Sequence, residues 1–261
     1  MSIIEQAADR LWQARQTGTP CAPVRDLLGE SDVAAAYAVQ EINTRRQLEK
    51  SRIVGAKIGL TSRVVQQQLG VHQPDFGLLF ADMDVLNAGI VPFAELSQPK
   101  VEAEIAFILG KDLPHADCTS AEVIAAVDHV VPALEIVGSR VAGWDIRITD
   151  TIADNASSSH FVLGPVAKPL AAVDLLDCAM ELELNGEKKS SGKGRACLGS
   201  PLSALVWLAR TMAASGRPLQ AGHVVLSGAL GPMVAVSPGG TCTARIEGLG
   251  EVSVEFGGLA A

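Results

Sequence analysis

Apolar positions first recur along the chain at helical spacing. Ile3, Ile4, Ala7, Ala8, Leu11 and Trp12 form one stripe. Ser2 with Glu5 makes a capping box before it, and Gly18 stops it. A second helical stretch starts at Ser31 and runs through DVAAAYAVQEINTRRQLE. A third, TSRVVQQQLG, is capped by Thr61 or Ser62 and ended by Gly70. Between these two lies RIVGAKIGL, a strand-like run that carries one lysine, Lys57.

From about residue 75 the texture changes. Short runs of Val, Ile and Leu alternate with Gly, Pro, Asp and Asn, the pattern of a strand-dominated region. The expected strands are VEAEIAFILG, VVPALEIVG, HFVLG, AMELELNG, HVVLSGAL, MVAVSPG, CTARIEG and EVSVEF. Two helices interrupt them. Thr119 and Glu122 cap one through VIAAVDHV, and Ser200 with Pro201 starts another, PLSALVWLARTMAASG, that ends at Gly216. The spacing predicts an α+β chain, with an N-terminal helical α/β region over residues 1–74 and a β-rich, closed or nearly closed barrel or sandwich over 75–261.

Composition narrows the function classes. Hydrophobic residues make up 48% and charged residues 19% of the 261, which predicts an ordered core. The formal net charge is −8 and no basic cluster exceeds a pair, so nucleic acid is not an expected partner. The N-terminus does not read as a signal peptide, and no apolar run suits a membrane span, so a cytoplasmic protein is expected. Five widely spaced cysteines without a C-x-x-C pair indicate reduced, mostly buried thiols.

The most informative stretch is Val101-Glu102-Ala103-Glu104-Ile105-Ala106-Phe107. In a strand, Glu102 and Glu104 share a face, roughly 7 Å apart. Val101, Ala103, Ile105, Phe107 and Leu109 make the other face a core face. On these two acids alone a solvated strand end explains the pattern equally well. Glu135 changes the balance, because it sits among Ala133, Leu134, Ile136 and Val137 with no adjacent base. Unpaired buried carboxylates cost several kcal/mol each, and a hard divalent cation with oxygen ligands offsets that. Three such acids suit Mg²⁺ or Mn²⁺ with positions open to substrate and water. Zinc is not expected, since no His or Cys stands at ligand spacing.

Lys57, flanked by Gly55 and Gly59, can neutralise an organic acid or exchange protons. Asp75 and Asp82 lie in a turn-rich segment where most aspartates cap turns, and Asp75 is kept as a candidate. DTIADNASSSHF is unusually polar, and Asp154, Asn155, Ser157, Ser158, Ser159 and His160 could line a pocket or form a hydrogen-bonded loop. Ser158 is taken as its representative. No G-x-S-x-G elbow supports a Ser/His/Asp triad. SSGKGRACLG lacks phosphate-loop spacing and reads as a flexible loop.

GAKIGLTSRVVQQQLGVHQPDFGLLFADM, QPKVEAEIAFILGKDLP, VPALEIVGSR, DTIADNASS and LSGALGPMVAV together resemble the 2-keto-4-pentenoate hydratase family of the fumarylacetoacetate hydrolase superfamily, over nearly the whole chain. The resemblance implies a small N-terminal α/β region and a mixed β-barrel-like C-terminal fold. It also implies Mg²⁺ or Mn²⁺ held by Glu102, Glu104 and Glu135, an active-site role for Lys57, and a homo-oligomer. The implied reaction is hydration of 2-hydroxypenta-2,4-dienoate to 4-hydroxy-2-oxopentanoate, in the meta-cleavage catabolism of aromatic compounds. Lys57, Asp75 and Ser158 are then the expected catalytic groups. Association with a pathway decarboxylase or aldolase is also compatible. Alternatives are 4-oxalocrotonate decarboxylation, hydration of 2-oxohept-4-ene-1,7-dioate, carbon–carbon bond hydrolysis, or a non-catalytic partner subunit. A second substrate carboxylate would need a base such as Arg63, Arg140 or Arg147.

Overall fold

The chain is described here by a computed structural model that covers residues 1–62, 66 and 73–258. Helix α1 (Ile3–Thr17) begins on the expected capping box and ends at Gly18. A short α2 (Arg25–Leu28) leads to α3 (Val33–Leu48), capped by the Asp32 carboxylate on the Ala35 N–H. There follow β1 (Ile53–Gly59), β2 (Asp75–Phe80), β3 (Asp84–Val85), β4 (Gly89–Val91), β5 (Lys100–Leu109), α4 (Ser120–Ala126), β6 (Val127–Val137), α5 (Ile148–Ala153) and β7 (Ser158–Leu163). The chain then forms β8 (Ala179–Leu184), β9 (Glu187–Lys193), α6 (Pro201–Ala214), β10 (Val224–Leu226), β11 (Val234–Ala235), β12 (Thr241–Ile246) and β13 (Gly250–Phe256).

The strands build two sheets. An eight-stranded sheet in the order β2-β1-β10-β5-β6-β7-β3, with β11 also on β5, curls into a half-barrel. A five-stranded sheet, β4-β13-β12-β8-β9, lies with β12 and β13 against β6. Val101, Ala103, Ile105 and Phe107 of β5 belong to the main core together with Leu134 and Ile136 of β6 and Val252 and Val254 of β13. The mixed α+β fold with a barrel-like sheet is the one expected.

The helices form a second cluster. Ala7, Ala8 and Leu11 of α1 and Ala36 and Val39 of α3 pack with Val141, Ile148 and Ile152. Residues on both sides of position 74 therefore share this cluster, and β1 and β2, which flank that position, are antiparallel neighbours.

Several local expectations need correction. The helix after Thr119 ends at Ala126 rather than running through VIAAVDHV, because the β-branched Val127, Val130 and Val131 join β6. DFGLLF is a strand, not a turn segment: all six residues are buried, so no alternation marks it. ITDTIA is a helix whose six residues are all buried. The SSGK of SSGKGRACLG extends β9, an edge strand whose charged Glu187, Lys188 and Lys189 guard against further pairing. The third helix, expected over TSRVVQQQLG, falls outside the described residues save Thr61, Ser62 and Gln66.

The free edge of β2 is closed by side chains rather than by a strand. The Phe76 N–H donates to the Tyr37 hydroxyl at 3.3 Å, and Gln40 Nε2 donates to Phe76 O at 3.0 Å. The Leu78 N–H donates to Asn155 Oδ1 at 2.8 Å, and Asn155 Nδ2 donates to Leu78 O at 2.9 Å. Buried backbone groups need such partners. Gln40 also donates to Ile152 O at 3.0 Å, so one buried amide ties α3 to both β2 and α5. Gln40→Met keeps the volume but strips both carbonyls of this donor. It should lower the unfolding free energy by about 1–3 kcal/mol in urea titration.

Candidate metal centre

Strand register explains why distant residues meet. In β5 and β6, Glu102 stands directly opposite Glu135, so the two side chains rise on the same face, and Glu104 follows Glu102 on that face. On the other side of β5, Ala106 pairs with Leu226 of β10, and Leu226 pairs with Lys57 of β1. Gly59, two residues on, pairs with Asp75 of β2. Pleating therefore brings Asp75, Lys57, Glu104, Glu102 and Glu135 to one face across five strands.

The three glutamates each offer a carboxylate oxygen within 4.8 Å of the others. Glu104 and Glu135 are fully buried, while Glu102 keeps partial access to solvent. Lys57 Nζ lies 3.2 Å from Glu135 Oε2, without the alignment of a hydrogen bond. Glu104 Oε2 accepts the Gly228 N–H at 2.7 Å. Among the described residues, Glu104 Oε1, both Glu135 oxygens and Asp75 Oδ1 are buried without a hydrogen-bond partner. Buried polar atoms are rarely left so, and a cluster of carboxylate oxygens fits a hard divalent cation.

Two glycines shape this face. A Cβ on Gly59 would stand 2.1 Å from Asp75 Oδ1 and 3.4 Å from Lys57 Nζ, so Asp75 lies over the bare backbone. Gly228 has φ of +95°, and a Cβ there would stand 2.4 Å from Thr61. Its N–H can face Glu104 because no side chain intervenes.

Electrostatics follow from burial. Burial pushes Glu102 up to about 7, helped by Glu135 and Asp75 and opposed by Lys57. Glu104 is held well above the ordinary carboxylate range by burial and then by Glu135 and Glu102. Asp75 is raised by burial against the pull of Lys57 and the Thr151 hydroxyl. Burial disfavours the Lys57 charge, yet the summed attraction of Glu135, Asp75, Glu102 and Glu104 outweighs it and holds the ammonium above its usual value.

Ser158 is not brought into this group. Its hydroxyl is buried without a partner among the described residues, and it lines a cavity of about 320 Å³ with Arg15, Arg140, Ser159 and His160, which none of the three glutamates, Lys57 or Asp75 lines. The neighbouring serine is the connected one. Thr151 Oγ1 donates to Asp75 Oδ2 at 3.3 Å, and Ser157 Oγ lies 3.4 Å from Thr151 Oγ1. Sequence reasoning overlooked Thr151 and could not rank Ser157. The signal that could have pointed to a close backbone approach was the placement of Gly59 and Gly228 inside strand-like runs, which the sequence reading did not use. Asp82 lies away from the group and accepts from Gln47 at 2.6 Å. Arg140 is bound to Asp154, and Arg63 is outside the described residues.

Residues 52–256 match the family model of the fumarylacetoacetate (FAA) hydrolase C-terminal domain. A 2-keto-4-pentenoate hydratase of Paraburkholderia xenovorans (strain LB400) is 56% identical, the match covering 97% of this chain and 94% of the relative. The 2-keto-4-pentenoate hydratase 2 of Dechloromonas aromatica (strain RCB) is also 56% identical, with 97% of each chain covered. Among solved structures, 4-oxalocrotonate decarboxylase from Pseudomonas putida G7, complexed with magnesium and adipate, superposes with a TM-score of 0.91 at 36% identity over 97% of both chains.

Replacing one acid tests the donor set. Glu104→Gln should abolish the Mg²⁺-induced rise in melting temperature while leaving the chelator-treated protein at least as stable as wild type. An undiminished Mg²⁺ response would rule Glu104 out as a ligand. The pH dependence has a definite sign. A carboxyl raised in the folded state favours its protonated form, so the stability it lends the metal-free fold falls as pH climbs from about 4.5 through about 7. Bound protons compete with the cation, so Mg²⁺ affinity should climb over the same window. Titration calorimetry in two buffers of different ionisation enthalpy should register proton release at pH 6, and none would contradict the assignment.

Proposed function

The chain belongs to the fumarylacetoacetate hydrolase C-terminal family, and we propose that it is a divalent-metal-dependent hydro-lyase that hydrates 2-hydroxypenta-2,4-dienoate to 4-hydroxy-2-oxopentanoate. The observation that carries this reading is the cluster of Glu102, Glu104 and Glu135, with unpartnered buried oxygens, beside Lys57 and Asp75. The hydratases that are 56% identical support the reaction class.

In this reading Glu102, Glu104 and Glu135 hold Mg²⁺ or Mn²⁺. The bound cation supplies Lewis acidity toward the 2-oxo end of the substrate. The chain's own groups do the rest. Lys57, whose ammonium the surrounding carboxylates favour against burial, stabilises negative charge that develops on the 2-oxygen as the dienol and enone interconvert. Asp75 is the proton carrier. Its Oδ2 is held by Thr151, its Oδ1 has no partner among the described residues, and its raised pKa brings its protonated and ionised forms closer in energy. Protonation at C5 gives the conjugated enone, and water then adds its oxygen to C4 and a proton to C3. Ser157, linked to Asp75 through Thr151, assists in place of Ser158.

A second reading, decarboxylation of a dicarboxylic 2-oxo acid, draws on the TM-score of 0.91 to the decarboxylase. Against it, the Arg140 guanidinium spends its Nε and Nη2 donors on Asp154, which leaves it poorly suited to a second substrate carboxylate. Among the described residues no helix is long and apolar enough to cross a membrane. Cytoplasmic location and self-association belong to this proposal, the latter supported by the exposed Leu86 and Ile90.

Freshly generated dienoate loses its ultraviolet absorbance on hydration. Wild-type protein with Mg²⁺ should remove that absorbance, and chelator should stop it. Faster consumption of 4-oxalocrotonate with release of carbon dioxide would favour the decarboxylase instead. Asp75→Asn should lower kcat by about 10²–10⁴-fold with Mg²⁺ affinity retained, and an unchanged kcat would remove Asp75 from the reaction.

A further inference from the structure

Three consecutive residues outside the carboxylate cluster hold an unusual backbone. Asn155, Ala156 and Ser157 have φ of +54°, +50° and +58°, and none is glycine. A left-handed backbone is strained for alanine and serine, less so for asparagine, and such strain persists only where surrounding contacts over-determine it. The restraints are visible. The Asn155 amide makes two hydrogen bonds to Leu78, 2.8 Å from its N–H and 2.9 Å to its carbonyl, as a neighbouring strand would. The Gly138 N–H donates to Ser157 O at 2.8 Å, and the Ser157 N–H donates to Asp154 O at 3.0 Å. The turn also lies so close to β2 that a Cβ on Gly77 would stand 2.3 Å from Asn155 O.

The turn has an output. It sets Ser157 Oγ at 3.4 Å from Thr151 Oγ1, which in turn reaches Asp75 Oδ2 at 3.3 Å. Asp75 and Gly77 are on β2, the strand that the Asn155 amide grips. The Asn155 amide thus ties the turn that carries Ser157 to the strand that carries Asp75, beside the Gln40 amide that joins the same strand to the helix of Thr151.

We propose that Asn155 is a positioning residue: by acting as a one-residue strand on the edge of β2 it forces the left-handed turn that presents Ser157 to Thr151 and, through Thr151, to Asp75. The inference rests on the reading of Asp75 as the proton carrier, and it assigns Asn155 no contact with substrate. Only an amide supplies both the acceptor for the Leu78 N–H and the donor for its carbonyl at this reach. Aspartate offers the acceptor but turns a second oxygen on the Leu78 carbonyl. Glycine relaxes the backbone but makes no bond to β2.

Asn155→Gly and Asn155→Asp test this, with Gly77→Ala as an independent variant that displaces the turn while leaving the amide intact. All three should lower kcat on the dienoate by about tenfold to a hundredfold, with KM and Mg²⁺ affinity within about twofold of wild type, the separation expected when orientation alone is lost. A general loss of folding would instead depress Mg²⁺ affinity and active fraction together. Wild-type kcat in Asn155→Gly, or parallel loss of Mg²⁺ binding in all three variants, would overturn the proposal. A crystal structure of Asn155→Gly decides the clamp even if the wild type proves not to hydrate the dienoate. Displacement of Ser157 Oγ from Thr151 is expected, and an unmoved Ser157 would refute the inference.

Discussion

Mutual repulsion among Glu102, Glu104, Glu135 and Asp75, placed on one sheet face with the ammonium of Lys57 among them, is the constraint around which the rest of the structure is arranged. A register that sets Glu102 opposite Glu135 places like charges as direct cross-strand neighbours, the arrangement sheets ordinarily avoid. Lys57 offsets part of the excess and the Gly228 N–H another part. Neither reaches Glu104 Oε1 or Glu135 Oε1. Apolar residues of similar volume would make a more stable sheet. The surrounding core, apolar on the opposite face of β5 and β6, supplies the rigidity that keeps the carboxylates from turning toward water.

How much of this could be read from the sequence depended on the range of each signal. Alternation within one strand put Glu102 and Glu104 on a common face, and an acid inside an apolar run singled out Glu135. The family resemblance joined Lys57 to them. Register is a relation between strands, and no local pattern encodes it. The link from Lys57 to Glu104 runs through Leu226 and Ala106, residues without any chemical signature. Asp75 was assigned to turns because its strand is buried throughout and carries no period. The choice among Ser157, Ser158 and Ser159 lay beyond sequence reasoning for a different reason. Three left-handed residues rotate the chain just before Ser158, so the ordinary alternation of side chains does not apply there.

The same edge explains how the helical layer takes part. β2 is an edge strand, and an open edge beside buried carboxylates would admit water or another strand. Tyr37 and Gln40 from α3 and Asn155 from the turn after α5 occupy its outward N–H and C=O groups. The helices thereby fix the strand that carries Asp75, and Gln40 fixes α5, which carries Thr151. What looks from the sequence like a separate N-terminal region is physically the outer wall of the carboxylate face.

Access to that face is asymmetric. Lys57, Asp75, Glu104 and Glu135 are at most 3% exposed, and only Glu102 keeps appreciable contact with solvent. In the proposed reaction a substrate that approaches past Glu102 meets the glutamates first and sets its 2-oxo end beside them and Lys57. An anionic substrate cannot be drawn inward by this surplus of carboxylates alone, so charge neutralisation at the glutamates must precede or accompany its arrival. Lys57 then has a second consequence. In the proposed reaction, with the glutamates neutralised by a cation, its ammonium is no longer outweighed by their charge, and its field falls on the 2-oxygen and on Asp75, which it already draws toward ionisation against the effect of burial.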